Sequence, residues 1–262
     1  MGFILIDARD DAVHDARFDE TLIALAGQGK QVASVWQSPQ GLVVPRTYAG
    51  RPGFDAARKT FQEQGWPVSV RLSGGGIVPQ GPGIVNVSLA YEIQGKPMDH
   101  TNKAYLTLCA VIGDALRGWG IVSRPATVHG SFCDGRYNMA IGDGDDVRKV
   151  AGTAQVWRRS PHYRTDCERH CVLAHALILA AVDTQEVTRA ANAFEAATGG
   201  PLRYRAERVA SLHACAGATM AEHTDFVYAL RERLALALTR PMTPTHEQSI
   251  AGAWNLEIQS RR

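Results

Sequence analysis

The chain has 262 residues, of which 45% are hydrophobic and 21% charged, and its formal net charge is +2. A chain of this length and composition can bury a substantial core as one domain. The small net charge, without a basic stripe of interleaved aromatic residues, gives no reason to expect nucleic acid as a partner. No apolar run reaches membrane length, and the first residues lack the basic start of a secretory signal, so we expect a cytoplasmic protein without a membrane partner.

Helical periodicity recurs in five segments that are separated by extended ones. In chain order the predicted helices are Phe18 to Ala26, Phe54 to Gln64, Asp99 to Trp119, Gln185 to Ala197 and Thr219 to Thr239. The alternation indicates an α+β fold with much hairpin pairing. No linker is long enough to divide the chain, so we predict one domain over residues 1–262, with residues 200–262 as a helical C-terminal segment.

A glycine-rich segment runs from Arg71 to Leu89 and reads R-L-S-G-G-G-I-V-P-Q-G-P-G-I-V-N-V-S-L. It lies between the strand-like V-S-V-R-L and a second predicted strand from Ile84 to Leu89. Glycines without side chains let a ligand approach the backbone closely. The segment is neither a P-loop nor a dinucleotide fingerprint, because it has no Gly-Lys-Ser/Thr and no helix follows. On these residues alone, a tight turn without a ligand is the favoured interpretation.

The segment from Gly130 to Gln155 reads G-S-F-C-D-G-R-Y-N-M-A-I-G-D-G-D-D-V-R-K-V-A-G-T-A-Q and predicts a hairpin. Its strands are Tyr137 to Gly142 and Arg148 to Trp157, joined by a turn at Asp143-Gly144. Strand alternation predicts one polar face and one face of small, packable residues. The polar face carries Lys149, Thr153 and Gln155, and the other carries Val150, Gly152, Ala154 and Val156. Taken alone, Lys149 fits a solvated sheet face.

The five cysteines are an odd number and, without a secretory signal, indicate reduced thiols. Cys109 lies on the apolar stripe of a predicted helix and is expected in the core. Only Cys133 is flanked by turn formers and polar residues. A cysteine attacks as its thiolate, which requires partial exposure and a nearby positive charge. Cys133 meets both conditions if Lys149 folds back toward it.

A cluster of histidine and cysteine residues suggests a metal site at first sight. Its members are His162, Cys167, His170, Cys171 and His175. If the chain from His170 is a strand, however, Cys171 and His175 lie about 13 Å apart at roughly 3.3 Å per residue. Two residues at that distance cannot ligate one ion, so we predict no metal site.

Several of these motifs together resemble a known family. The run R-K-V-A-G-T-A-Q resembles the lysine motif of the lipoate–protein ligase and octanoyltransferase superfamily, also called the biotin/lipoate A/B protein ligase family. The run G-S-F-C-D-G-R-Y-N-M is similar to the cysteine motif of its cysteine-dependent octanoyl amidotransferase branch. The glycine-rich segment is similar to the one that lines the fatty-acyl pocket, and L-A-H-A-L-I-L-A from Leu173 resembles the strand after the lysine loop. The resemblance covers residues 30–182 in order.

The resemblance implies a single catalytic domain of the biotin/lipoate protein ligase type, built on a mixed or antiparallel sheet. It implies an acyltransferase that needs no cofactor and moves an octanoyl or lipoyl group onto a carrier lysine through a Cys133 acyl-enzyme. Lys149 would bind the acyl carbonyl and favour the thiolate. The implied partners are lipoyl carrier domains or a glycine-cleavage-type H protein, with acyl carrier protein as a further candidate. The residues implied around the acyl group are Arg71, Ser73, Gly74, Gly75, Gly76, Gly130, Ser131, Asn138, Gly152, Thr153, Ala154, Gln155 and His175.

Departures from the family pattern leave the donor and acceptor open. The family often has Tyr-His where this chain has Pro79-Gln80, so one histidine contact is lost. One alternative is a lipoate–protein ligase that uses ATP and Mg²⁺ and needs no cysteine, although the residues after Val182 are few for the usual extra domain. A second alternative is a non-catalytic protein that binds acyl groups or carrier domains. For His175, a hydrogen-bonded core histidine is an equally good interpretation.

Overall fold

A computed structural model describes residues 2–6, 18–71, 73–164, 167–217 and 222–240. The strands are β1 (Ile4–Leu5), β2 (Val32–Trp36), β3 (Gly41–Pro45), β4 (Val68–Arg71), β5 (Val78–Gln80), β6 (Ile84–Gln94), β7 (Arg124–Ala126), β8 (Asn138–Ile141), β9 (Arg148–Arg159) and β10 (Arg169–Leu179). The helices are α1 (Phe18–Ala26), α2 (Phe54–Glu63), α3 (Pro97–Arg117), α4 (Thr184–Ala197), α5 (Leu212–Cys215) and α6 (His223–Thr239).

The strands form two sheets. A seven-stranded sheet has the order β1-β2-β6-β10-β9-β8-β7, and a three-stranded sheet has the order β4-β3-β5. Strands β1 and β2 pair in parallel, as do β3 and β4, and the remaining pairs are antiparallel. The prediction of an α+β fold on a mixed sheet is confirmed.

The helices predicted from periodicity agree closely with the structure. Helix α1 has the predicted ends, and α2, α3 and α4 differ from their predicted ends by at most two residues. Helix α6 begins at His223, whereas the first residues of its predicted span are outside the described part of the chain. Within the predicted C-terminal segment, helix occupies α5 and α6, and residues 241–262 lie outside the described residues.

The long central strand β10 is buried on both faces. On one face Ala174, Ala176 and Ile178 belong to a core shared with α3 and α6. Residues of odd number face the other way because strand side chains alternate. Among them, Leu173 packs in a cluster with α1, and Leu177 packs against residues of the three-stranded sheet.

A second core cluster joins the three-stranded sheet to α2 and α4. The Phe194 ring of α4 packs edge-on against Phe61 of α2 at a centroid distance of 5.1 Å, and Leu42 of β3 lies in the same cluster. The two sheets therefore stack with a narrow space between them, bordered by the odd-numbered face of β10. Among the helices described here, none is long and apolar enough to cross a membrane.

Candidate active site

The loop between β7 and β8 places Cys133 half-buried at the edge of the space between the sheets. The Phe132 ring anchors the loop because it is buried against Tyr204 at a centroid distance of 5.3 Å. The Cys133 carbonyl accepts three hydrogen bonds, from the Gly135 amide (2.8 Å), the Asn138 side chain (3.0 Å) and Lys149 Nζ (3.1 Å). These contacts fix the backbone of the cysteine itself.

The backbone of Cys133 is held in a strained conformation. Its φ of 49° makes it the one non-glycine residue in the described part of the chain with positive φ. This left-handed region costs an L-residue roughly 1–2 kcal/mol, and such strain persists where surrounding contacts enforce it, often at active sites.

Relief of this strain is measurable. We expect Cys133→Gly to have a free energy of unfolding about 1 kcal/mol higher than Cys133→Ala, because glycine adopts positive φ without a steric penalty. Urea unfolding of both variants measures the difference. Equal stability of the two variants would mean that the loop relaxes and stores no strain.

Lys149 is buried rather than solvated, with a relative exposure of 2%. The interpretation of Lys149 as a solvated residue is therefore wrong, and a β-bulge explains why. The pairing of β8 with β9 passes from Ala140↔Lys149 to Met139↔Ala151, so Val150 is an extra residue. A bulge shifts the alternation by one residue and redirects a side chain.

The bulge brings Lys149 to the face of the sheet that carries Gly152. A Cβ at Gly152 would lie 2.8 Å from Lys149 Nζ. The ammonium donates to the carbonyls of both Phe132 and Cys133. Burial lowers the pKa of Lys149 to about 8, an effect that Cys133 opposes and Arg71 reinforces. Near neutral pH a positive charge therefore lies directly behind the cysteine loop.

The space between the sheets forms a narrow slot of about 70 Å³. One wall comes from the seven-stranded sheet, and the facing wall comes from the three-stranded sheet. The lining residues are Asp19, Trp36, Ser38, Val43, Ser69, Arg71, Val78, Gln80, Asn86, Ser88, Cys133, Gly152, Thr153, Ala154, His175, Ala176 and Leu177. Gln80 and Asn86 exchange two amide hydrogen bonds of 2.9 Å, so the two side chains satisfy each other at the slot.

Arg71 is a second buried cation at the slot, with 6% exposure. Its Nη2 donates to the carbonyls of Gly74 (3.0 Å) and Gly76 (2.8 Å), whereas its Nε is buried without a hydrogen-bond partner. Burial lowers the pKa of Arg71, and the Cys133 sulfur opposes that shift. A Cβ at Gly75 would lie 2.5 Å from Cys133 Sγ and 3.1 Å from Arg71 Nη2, so the missing side chain lets thiol and guanidinium approach each other.

A second, wider cavity of about 500 Å³ reaches Cys133 from the other side of the loop. It is lined by Thr47, Tyr48, Arg51, Gly75, Gly76, Gly130, Ser131, Cys133, Asp134, Gly135, Leu202, Arg203 and Tyr204. Cys133 is the one described residue that lines both this cavity and the slot. Beneath the cavity floor, the fully buried Glu195 accepts hydrogen bonds from Tyr48, Tyr204 and Arg51.

The structure brings most of the residues predicted for the site together. The slot contains Arg71, Cys133, Gly152, Thr153, Ala154 and His175, and the second cavity contains Gly75, Gly76, Gly130 and Ser131 as well as Cys133. Supporting positions behind these walls are held by Lys149, Ser73, Gly74 and Asn138.

Gln155 was expected at the acyl group, but it lines neither the slot nor the second cavity. Its amide donates to the Thr101 carbonyl (2.9 Å) in α3, and Thr153 Oγ1 donates to the Tyr137 carbonyl (2.8 Å). On the predicted polar face of β9, Gln155 thus packs toward α3 and Thr153 bonds to the loop before β8. The slot borders the face that was predicted to be small and packable.

Several lining residues were not predicted from the sequence. Asp19 and Trp36 come from α1 and β2, which precede the recognised motifs, and Ser88 was read only as part of a strand. An acidic residue in the first turn of a helix is ordinarily explained by the helix dipole, so the sequence signal at Asp19 is weak.

The histidines of the suspected metal cluster have separate partners. His162 Nδ1 lies 3.3 Å from Glu92 Oε1, and His170 Nδ1 lies 3.0 Å from the Gly95 carbonyl. In the parts of the chain with assigned structure, no three His, Cys, Asp or Glu side chains are arranged to hold a metal ion. Cys109 is fully buried as expected, and burial raises its thiol pKa to about 12.

Comparisons with known proteins agree with this fold. The family model described as the lipoyl protein ligase A/B catalytic domain matches residues 11–235. An uncharacterized protein of Cupriavidus necator is 48% identical over 217 residues, which cover 81% of this chain and 86% of that protein. An octanoyl-GcvH:protein N-octanoyltransferase of Kyrpidia tusciae is 34% identical over 202 residues, covering 74% of this chain and 65% of the relative.

A solved structure gives an independent comparison of the fold. Lipoate-protein ligase A, crystallised with bound ATP, superimposes with a TM-score of 0.63 at 17% identity, covering 97% of this chain and 94% of the ligase chain. At this identity the superposition supports the fold alone.

Proposed function

The chain belongs to the lipoyl protein ligase A/B catalytic-domain family, and from that premise we propose that it is a cysteine-dependent acyltransferase. It transfers an octanoyl or lipoyl group onto a lysine of a lipoyl carrier domain or a glycine-cleavage-type H protein, and it requires no ATP. The relative from Kyrpidia tusciae, whose name specifies octanoyl transfer from GcvH to protein, supports this reaction class.

One observation carries the proposal, namely the position of Cys133. Its thiol lies where the slot and the second cavity meet, on a strained backbone, with Lys149 behind its loop and Arg71 beside its sulfur. Two nearby positive charges favour the thiolate, which is the reactive form of cysteine. A ligase that activates a free acid with ATP has no need of such a thiol.

The two cavities suit different parts of the substrates, namely the acyl chain and the carrier lysine. The slot is narrow and suits an unbranched acyl chain, although a long chain requires its walls to move apart. Once the chain occupies the slot, a carrier lysine can reach Cys133 only from elsewhere. The second cavity is wide enough for that extended side chain, so we assign the approach of donor and acceptor lysines to this side.

The reaction then proceeds in two balanced steps. Cys133 Sγ attacks the donor carbonyl, a C–S bond forms, and the bond to the donor's nitrogen or sulfur breaks. The acceptor lysine amine next attacks the thioester, a C–N bond forms and the C–S bond breaks, and the proton lost by the amine restores the free Cys133 side chain and its proton carrier. Arg71 lines the slot beside the Cys133 sulfur and supplies positive charge near the developing oxyanion, while Lys149 supplies charge from behind the loop.

Intact-protein mass spectrometry tests the proposal. Purified protein is mixed with an octanoyl thioester of acyl carrier protein or coenzyme A, and ATP is omitted. We expect a mass increase of one octanoyl group, located by peptide mapping on Cys133 and discharged when an unmodified carrier domain is added. Absence of the adduct, combined with carrier modification from free lipoate only when ATP and Mg²⁺ are present, would establish a ligase instead.

A further inference from the structure

Three residues that are distant in sequence form a hydrogen-bonded chain at the slot. His175 Nδ1 lies 3.1 Å from Asp19 Oδ2, and His175 Nε2 lies 3.0 Å from Ser73 Oγ. Asp19 and His175 both line the slot together with Cys133, and Ser73 is buried beside it in the glycine-rich segment. The two cationic residues of the proposed mechanism, Lys149 and Arg71, are not members of this chain.

The fold holds the carboxylate of this chain firmly. Asp19 is the second residue of α1, which packs against β6 and β10. Its other oxygen, Oδ1, accepts a hydrogen bond of 3.1 Å from Ser88, whose hydroxyl in turn accepts from Trp36 Nε1 at 3.3 Å. Both carboxylate oxygens are therefore engaged, so the His175 ring has a fixed orientation.

The arrangement suits a group that gains and loses a proton in place. A carboxylate only accepts hydrogen bonds, so Nδ1 of His175 carries a hydrogen directed at Asp19. Nε2 can then be neutral or protonated, because the Ser73 hydroxyl can donate to the neutral ring or accept from the cation. Neither state breaks a contact, and Asp19 compensates the charge of the protonated ring.

Lys149 is poorly placed for the same task. Its Nζ is bonded to the main-chain carbonyls of Phe132 and Cys133, and the residue lines neither the slot nor the second cavity. Its charge can act on the thiol from behind the loop, but its protons are directed away from the acyl group.

We propose that His175, positioned by Asp19, is the proton carrier that allows this enzyme to use an amide donor, that is, an acylated lysine. This inference rests on the proposed acyltransferase function and specifies its donor. Whether a proton carrier is needed depends on the leaving group of the donor. A thiol, with a pKa near 8.5, can leave as its anion. The anion of a neutral amine is far too basic to leave, so the nitrogen must be protonated as the C–N bond breaks.

The proton balance of the acylation step is complete within the site. Cys133 Sγ attacks the amide carbonyl as its thiolate while His175 Nε2 carries a proton. The C–N bond then breaks, that proton moves from Nε2 to the departing nitrogen, and the donor lysine leaves as its free amine. The products are the Cys133 thioester and the unmodified donor domain. In the second step His175 recovers a proton from the attacking acceptor amine.

The test compares two donors with one acceptor. Wild type, His175→Gln and Asp19→Asn are assayed for kcat/KM with an octanoyl-lysine carrier domain and with octanoyl-coenzyme A, using the same unmodified lipoyl domain as acceptor. The kcat/KM value for the donor reports the acylation step, because the donor's leaving group departs before the acceptor reacts. This readout is needed because the Cys133 thioester is higher in energy than an amide and does not accumulate from the amide donor.

We expect both variants to lose about 10²-fold in kcat/KM with the amide donor and less than threefold with the thioester. His170→Gln is the matched control, since it removes a histidine from the same strand that lines neither cavity. An equal loss with both donors would overturn the inference and leave Asp19 and His175 as a structural link between α1 and β10. Unchanged rates with both donors would also overturn it. Failure of wild type with both donors would instead reject the acyltransferase function itself.

Discussion

Replacing Cys133 with serine is expected to lower acyl transfer at least about 10³-fold, because this change removes the nucleophile. A serine hydroxyl at the same place has a far higher pKa than a thiol, so the charges of Lys149 and Arg71 cannot ionise it. The fold should persist, since serine is nearly the same size and the loop is fixed by contacts to the main-chain carbonyl of residue 133. Steady-state transfer of octanoyl groups to a lipoyl domain, with unfolding in urea measured in parallel, gives both quantities.

Cys215→Ser is the matched control for this experiment. Cys215 is a half-buried cysteine of the short helix α5 and lines neither the slot nor the second cavity. Its replacement should leave the transfer rate within about twofold of wild type. Full activity of Cys133→Ser would contradict the covalent mechanism, and activity that depends on ATP in that variant would identify a ligase.

The second large effect is expected at Lys149. Replacement by methionine should reduce the rate of Cys133 acylation about 10²-fold, a loss of the size found when a charge that acts on the reacting centre is removed. The shape of the side chain is nearly retained, but the charge behind the thiol and the donors to the loop carbonyls are lost. The rate of Cys133 alkylation by iodoacetamide at one fixed pH reports the reactivity of the thiol, and it should be lower in Lys149→Met than in wild type.

The lowered pKa of Lys149 also predicts a pH dependence of stability. In the unfolded chain a lysine has a pKa near 10.4, whereas burial lowers the folded value to about 8. Between these values the unfolded state binds more protons, so the free energy of unfolding should rise with pH in wild type relative to Lys149→Met. The control variant Lys59→Met, at an exposed position of α2, should change neither the acylation rate nor the pH dependence of the free energy of unfolding. A pH-independent stability difference between wild type and Lys149→Met would contradict the buried, ionisable state of this residue.

Helices and the order of motifs could be predicted from this sequence, because both depend on local patterns. The apolar periodicity of α1 to α4 gave ends within two residues of those observed. The cysteine and lysine motifs were also recognisable, because both resemble motifs of a known family and lie in the same order and spacing. These features need no knowledge of which strands pair.

The side chains of the site depend on pairing, which the sequence does not specify. The extra residue at Val150 moves Lys149 to the other face of β9, and only the register with β8 reveals it. Asp19 meets His175 because α1 packs against β10, although 156 positions separate the two residues in the sequence. Polar residues at the predicted face of β9, such as Gln155, satisfy carbonyls of α3 rather than a ligand.

Because Cys133 is the described residue that lines both cavities, its position affects how fast carrier domains are modified. If the acyl chain stays in the slot, modified and unmodified carrier domains must compete for the wide cavity that also reaches Cys133. An abundant unmodified carrier then occupies the enzyme before it has been charged and slows its own modification. When both forms are abundant, the rate would therefore follow the ratio of modified to unmodified carrier rather than the amount of either.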